Sequence, residues 1–199
     1  MGGKPVHSGR LRDHGGRPVR ALSVDPIHDT RETFRALVDA MSRPGTVQQT
    51  PAERSDHAVV TTLVDHEVTT HTFDEAVRRA LESHGRFDSA TPETADIVHT
   101  NGSPTWDVRD VRSGTLVEPS AGATVIYRVD ALGPDATATT LRLTGPGVPD
   151  ERTLRVSLPP TEVDAIADAQ SVYPRGVDVV FAAADRISAL PRSVTVEVV

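Results

Sequence analysis

The chain has 199 residues, enough for one domain or for one domain with a tail, and a chain of that size buries roughly 70% of its unfolded surface. It contains no cysteine, which removes disulfides, thiolate zinc sites, iron–sulfur ligation and thiol nucleophiles together. Acidic residues outnumber basic ones by 28 to 21, no run approaches the roughly 20 apolar residues of a membrane span, and the first twenty residues lack the apolar segment of a secretory signal. A cytoplasmic protein is the expectation.

Residues 1–24 read as a disordered basic leader, with Lys4, Arg10, Arg12, Arg17 and Arg20 set against Asp13 alone. Lys4 is the only lysine in the chain, so a Schiff base to a carbonyl substrate or to pyridoxal phosphate has no candidate within residues 25–199. The first firm element begins at Asp25-Pro26, a good cap followed by a residue suited to a first helical turn. Ile27, Phe34, Leu37, Val38 and Met41 then recur at helical spacing, which predicts one apolar face turned to the core. The helix must stop at Arg43-Pro44-Gly45, and a short extended segment, Thr46–Thr50, follows.

His57–Val64 is apolar and fits either helix or strand, whereas the β-branched run Val68–Phe73 predicts a strand. Asp74 is placed to cap a helix that buries Ala76, Val77, Ala80 and Leu81 and ends at Gly85. Ala95–His99 reads as a strand and Thr105–Val111 as a short helix. Ala123–Leu132 and Thr139–Thr144, flanking the loop Gly133–Ala138, are predicted to form an antiparallel pair. A helix over Thr161–Val172 should turn Val163, Ile166 and Ala167 inward, and the chain should end in the strands Val177–Ala183, Ile187–Leu190 and Val194–Val198. The segment from Ile187 to Val199, left unpaired, would be a hazardous sheet edge. The expected fold is one mixed-sheet α/β domain over residues 25–199, an αβα sandwich with helices covering the sheet.

No catalytic set is complete. His66 and His71, beside Asp65 and Glu67, have a spacing that puts them on different faces of either a helix or a strand, and HExxH and GxSxG are absent. Three glycine-containing loops, Arg43-Pro44-Gly45, Gly145-Pro146-Gly147 and Pro174-Arg175-Gly176, offer backbone N–H groups and guanidinium in the manner of a phosphate cradle, yet none matches a P-loop or a dinucleotide fingerprint. No catalytic, metal or cofactor residue is therefore expected.

Read together and in order, these segments resemble one family. Phe34 to Gly45 is similar to the FRxLLxAMSxPG opening of the H subunit (PhnH) of the carbon–phosphorus lyase system. Leu63-Val64-Asp65 with Thr69, Gly114-Thr115, Pro119 and Ala121 to Thr124 continue the likeness. Leu141 to Gly147 resembles its LxLTGPGI stretch, Tyr173 to Asp178 its FPLGID, and Leu190-Pro191-Arg192-Ser193 its IPRTT. The resemblance implies a fold similar to the large domain of pyridoxal-phosphate transferases without the cofactor. It also implies a homodimer within a cytosolic complex of G, I and J subunits with an ABC-like partner. The G, H and I subunits with that partner would link a phosphonate to ribose 5-triphosphate by displacing adenine from ATP, leaving C–P cleavage to the J subunit. Structural or interface roles would then fall to Arg43, Pro44, Gly45, Asp65, Gly145, Gly147, Pro174, Gly176, Asp178, Pro191 and Arg192. The chain departs from the family in its longer leader, in the position of Phe73, and in Arg175 where a leucine is common. The alternative is a stand-alone phosphate- or nucleotide-binding transferase using Arg43, Arg175 and Arg192. Nucleic-acid binding rests on the leader alone and is opposed by the acidic body.

Overall fold

The computed structural model describes residues 22–199. The proposed leader lies outside the described residues as far as position 21, and Val24, assigned to it from sequence, is buried against Ala52 and Ala58.

Among the described residues, four α-helices and ten strands follow in chain order: α1 (His28–Ser42), β1 (Gln48–Gln49), α2 (Ser55–Leu63), β2 (Thr69–Thr72), α3 (Glu75–Ser83), β3 (Asp88–Ser89), β4 (Ile97–Asn101), β5 (Thr124–Arg128), β6 (Thr139–Thr144), β7 (Arg152–Val156), α4 (Pro160–Gln170), β8 (Asp178–Ala183), β9 (Arg186–Leu190) and β10 (Thr195–Val198). They build a seven-stranded sheet of order β1-β9-β8-β5-β4-β2-β3 and a three-stranded sheet of order β10-β6-β7. In the large sheet β8, β5, β4, β2 and β3 run parallel, and β9 and β1 are antiparallel additions at one side.

The buried strands Ile97–Asn101, Thr124–Arg128 and Asp178–Ala183 are nearly continuous apolar runs, because both faces of a parallel sheet are covered. Ile97, Ile126 and Val180 face α1, α2 and α3, whose Leu37, Val59, Val60, Val77 and Leu81 complete that layer. Val98, Val125, Tyr127, Val179 and Phe181 face the opposite way, where α4 and the small sheet supply Val163, Ile166, Leu141, Leu143, Leu154 and Val156. One face of the large sheet is thus covered by helices and the other by a helix and a second sheet.

Several local expectations hold. Asp25 Oδ1 accepts from the backbone N–H groups of Ile27 and His28 ahead of α1. Asp74 Oδ1 accepts from Ala76 N at 2.8 Å and Val77 N at 3.3 Å, capping α3, and Gly85 past its end has a φ of +65°. The ambiguous segment after Arg54 is α2.

Four expectations fail, the first at Ala76 on α3, which is exposed rather than buried. The supposed hairpin between Ala123–Leu132 and Thr139–Thr144 does not form: β5 lies between β4 and β8, while β6 leaves for the small sheet and pairs with β7 and β10. The periods of the two runs differ accordingly. TVIYR is apolar on both faces, and TTLRLT alternates with Arg142 outward. The β7 strand, not anticipated from sequence, carries the same alternation, burying Leu154 and Val156 while Arg155 points out. Within Ile187–Val199, β9 is paired on both sides by β1 and β8, while β10 pairs only with β6 and forms an edge of the small sheet. Of Thr105–Val111 only the single turn Val108–Asp110 is helical.

The fourth correction concerns α1. Its core face is Thr33, Ala36, Leu37 and Ala40, whereas Ile27, Phe34 and Val38 are 72%, 56% and 51% exposed. The helix carries two apolar stripes, and the one made of small residues faces inward because it lets α1 lie close against α2 and β9.

Candidate functional site

The sequence-nominated residues gather in two interlocked turns. In the first, the turn after α1 meets the β6–β7 hairpin. Arg152 Nη1 donates to Pro44 O at 2.8 Å, and Gly45 N donates to Ala189 O at 3.3 Å. Gly147, at φ +79°, approaches so closely that a Cβ there would stand 2.6 Å from Ser42 O and 2.8 Å from Pro44 Cδ. Gly145 similarly lies against Ser193 O. Arg43 pairs with Asp39 at 3.0 Å on the surface. Gly147→Ala should therefore cost about 1–2 kcal/mol from backbone conformation alone, with the clash adding to it, as a lowered denaturation midpoint will show.

The second assembly joins three loops at the N-terminal ends of β5 and β8. Arg192 reaches across it: its backbone N donates to Asp178 Oδ1 at 2.8 Å, Nη1 donates to Pro119 O at 2.6 Å, and Nη2 donates to both Gly122 O and Asp178 Oδ2. Gly176 N donates to Ser113 O at 2.8 Å, beside the cis peptide bond at Pro174, and Pro191 O accepts from Val194 N. Arg43 and Arg192 thus spend their donors in separate places, and Arg175 makes no ion pair among the described residues. Asp65 belongs to neither group; its side chain closes an exposed turn by accepting from Glu67 N. His66 and His71 are likewise apart, the first 80% exposed beside Glu67 and the second against Ala90 O.

Sequence reasoning missed a buried charged cluster at the C-terminal ends of β2, β4 and β5, the end of an α/β sheet at which ligands ordinarily bind. Asp56, in the first turn of α2, is 3% exposed; it accepts from Arg128 Nε at 2.6 Å, His99 Nε2 at 3.2 Å and Arg54 Nε at 3.2 Å. The other oxygen of the capping Asp74 accepts from Arg128 Nη2 and lies 3.2 Å from His57 Nε2. His57 Nε2 also lies 2.9 Å from Arg54 Nη2, a group that can only donate. His99, fully buried, accepts at Nδ1 from Thr72 Oγ1 at 2.9 Å. Phe73 closes the cluster, its ring edge-on to His99 and under the Arg128 guanidinium at 4.6 Å. The available signal was polar residues inside apolar runs: His99 in a buried strand, Arg128 within Ala123–Leu132, and Asp56-His57 opening an apolar helix.

Asp56, His57 and Asp74 bring their ligand atoms within 4.8 Å of one another, a spacing that suits a cation. Arg54 and Arg128 already fill that space, so an ion would have to displace two guanidinium groups and remain beside them. The set fits a charge-compensated hub better than a metal centre. The order Thr72–His99–Asp56 also has the form of nucleophile, base and orienting acid, but His99 is inaccessible beneath Phe73.

Burial disfavours the charged form of Asp56, yet hydrogen bonds from His99 and Arg54 overcome it and hold this carboxyl well below the usual range. Asp74 is lowered in the same way, against its burial, by Arg128, His57 and the α3 N–H groups. Burial lowers His99, outweighing its bond to Asp56. An unfolded histidine titrates near about pH 6.5, so acidification first protonates the unfolded chain at a site the folded chain keeps neutral. The two aspartates contribute their full stability above about pH 4 and lose it as pH falls through their lower native values. Denaturant midpoints followed from about pH 7.5 to 3 should decline in two stages, and His99→Gln should remove the first.

Residues 23–197, nearly all of the described residues, match the family described as bacterial phosphonate metabolism protein (PhnH). The chain belongs to the PhnH family. It is 33% identical over 167 residues to HtxG of Stutzerimonas stutzeri, whose name describes a C-P lyase subunit protein, with 80% of this chain and 82% of HtxG covered. It is 23% identical over 193 residues to the alpha-D-ribose 1-methylphosphonate 5-triphosphate synthase subunit PhnH of Rhizobium meliloti strain 1021, covering 87% and 93% of the two chains. Among the described residues of this PhnH-family chain no helix is long and apolar enough to cross a membrane.

Proposed function

We propose that the chain is an accessory, non-catalytic subunit of a carbon–phosphorus lyase system, needed to form a ribose 1-phosphonate 5-triphosphate from ATP and a phosphonate. The single observation that carries this reading is the 33% identity to a protein named as a C-P lyase subunit over four-fifths of both chains. The geometry agrees with it: the polar cluster where an α/β enzyme would place its chemistry has its two carboxylates matched by its own two arginines, and Arg192 ties loops together. The stand-alone transferase reading asks Arg43, Arg175 and Arg192 to serve one site, while Arg43 pairs with Asp39 in one turn and Arg192 spends its donors on Asp178, Pro119 and Gly122 in another. A fold like the large domain of pyridoxal-phosphate transferases, lacking the cofactor, is part of the same proposal; it is supported by the run of parallel strands and by residues 22–199 holding no lysine.

The partners belong to the proposal too: G, I and J subunits with an ABC-like chain, in the cytoplasm, and a second copy of this chain. The exposed α1 stripe of Ile27, Phe34 and Val38 supports self-association. Reconstitution tests the function. Product followed by phosphorus NMR should form when this chain is mixed with G, I and the ABC-like partner, and should vanish when it is left out. Product made from ATP and a phosphonate by this chain alone overturns the reading.

A further inference from the structure

Leu116 and Val117 are 73% and 96% exposed, and they occupy the two central positions of a tight turn. Thr115 N donates to Glu118 O at 3.1 Å, and Glu118 N donates back to Thr115 Oγ1 at 2.9 Å. Central turn positions ordinarily hold Gly, Pro, Asn, Asp or Ser, which make the turn by their own backbone preferences or side-chain bonds. Leucine and valine do neither, so their presence needs another reason.

The turn is also held more firmly than an exposed loop requires. Ser113 and Gly122 pair as an antiparallel bridge at its base, and Ala123 N donates to Arg112 O at 2.8 Å. Gly114 takes φ +74° in a space where a Cβ would stand 2.7 Å from Pro119 O. Arg192 then clamps the returning strand through Pro119 O and Gly122 O. Beside it, tied by the Gly176 N to Ser113 O bond, runs the loop bearing Val172 at 51% and Tyr173 at 67% exposure, followed by Arg175 with its buried Nε unbonded.

We infer that the Leu116–Val117 turn, with Val172, Tyr173 and Arg175, is a preformed anchor for another protein subunit, one presenting an apolar socket edged by carboxylate. Apolar side chains fixed before binding lose little conformational freedom on docking, and Tyr and Arg are the residue types that most often dominate such contacts. Residues 22–199 hold 27 acidic and 16 basic residues, yet Arg175 makes no ion pair among the described residues and its buried Nε is unbonded, so this cation answers an outside acid. A different chain fits better than a second copy. A projecting turn needs a concave receptor, and the apolar hollow among the described residues, lined by Leu22, Val24, Pro26, Ala80 and Leu81, is edged by His84 and Arg86 and offers no carboxylate to Arg175. Insertion into another face of the same chain would be a heterologous contact, which propagates into rings or filaments. The anchor lies at the N-terminal end of the parallel strands, away from the Asp56 hub, and docking there leaves the hub uncovered.

The inference rests on the subunit reading and deepens it. In the test, the full chain is tagged and co-expressed with the G, I and J subunits, as wild type and as Leu116→Ser/Val117→Ser. Both side chains project into solvent, so the thermal midpoint should stay unchanged while recovered partner falls about tenfold or more. A photo-crosslinking residue in place of Val117 should then join the chain to a G, I or J subunit. A double variant that captures partners as well as wild type overturns the anchor while the subunit reading stands. Wild type capturing none of them defeats both, and crosslinking to a second copy overturns the choice of occupant.

Discussion

Replacing Asp56 with Ala is expected to destabilise the protein by about 3–5 kcal/mol, the range seen when one member of a buried ion pair is removed. Asp56 is the anion on which Arg128, Arg54 and His99 converge, and its carboxylate is almost wholly withdrawn from water. Its loss leaves His99 without an acceptor inside the fold and Arg128 with Asp74 as its one carboxylate. The same cut removes the Asp56 bonds from the first turn of α2 to β4 and β5, leaving the His57 contact with Arg128 and the apolar packing. Urea denaturation at neutral pH measures it. Asp56→Asn should cost less, since the amide keeps the shape and one acceptor oxygen. A change below about 1 kcal/mol for the alanine variant would place the hub among solvated surface pairs, which contribute at most about that much.

Phe181→Ala is expected to cost about 3–5 kcal/mol, and Phe34→Ala less than about 1 kcal/mol, although both are phenylalanines in regular structure. Phe181 is fully buried on the central strand β8, its ring 6.1 Å from that of Tyr127 and facing α4 and the small sheet. Truncation there opens a cavity between layers held rigidly by strand pairing on both sides, where neighbours collapse little. Phe34 stands 56% exposed on α1, and its removal takes away little buried surface. Paired denaturant titrations settle the order. Equal losses would mean that α1 is rolled about its axis, bringing the Phe34 stripe inward as its spacing alone suggests.

That reversal shows where sequence reading ends. Ile27, Phe34 and Val38 form a helical stripe as regular as the one actually buried, while Leu37 and, in part, Met41 do face the core as their spacing predicts; periodicity assigns a stripe without saying which of two the core will take. Packing chose the stripe of Thr33, Ala36 and Ala40, because small side chains allow close approach to α2 and β9. The sheets divide in the same way. Most of the longer strands were legible from β-branched runs, β7 excepted, but TVIYR and TTLRLT were read as partners because they adjoin in sequence. In the structure each pairs with strands remote from the other, and short-range order carries no information about that.

The sequence by itself determined which segments are helix and strand at Asp25–Gly45, Asp74–Gly85 and Thr161–Ala183, since capping, proline and hydrophobic period act within a few residues. It determined as well that residues 22–199 offer no lysine and the chain no thiol for catalysis, because composition needs no coordinates. Its motif blocks carried the family, which the match over residues 23–197 establishes. Only the tertiary structure decided that those blocks interlock as turns, and that Arg54, Asp56, His57, Asp74, His99 and Arg128 meet. The six lie on α2 and its approach, on the cap of α3, and on strands β4 and β5, up to 74 positions apart in the chain. Each looks like an ordinary polar residue in its own segment. A buried charge is tolerated only where its counter-charges arrive from elsewhere in the fold, and that is a property of packing rather than of any local pattern.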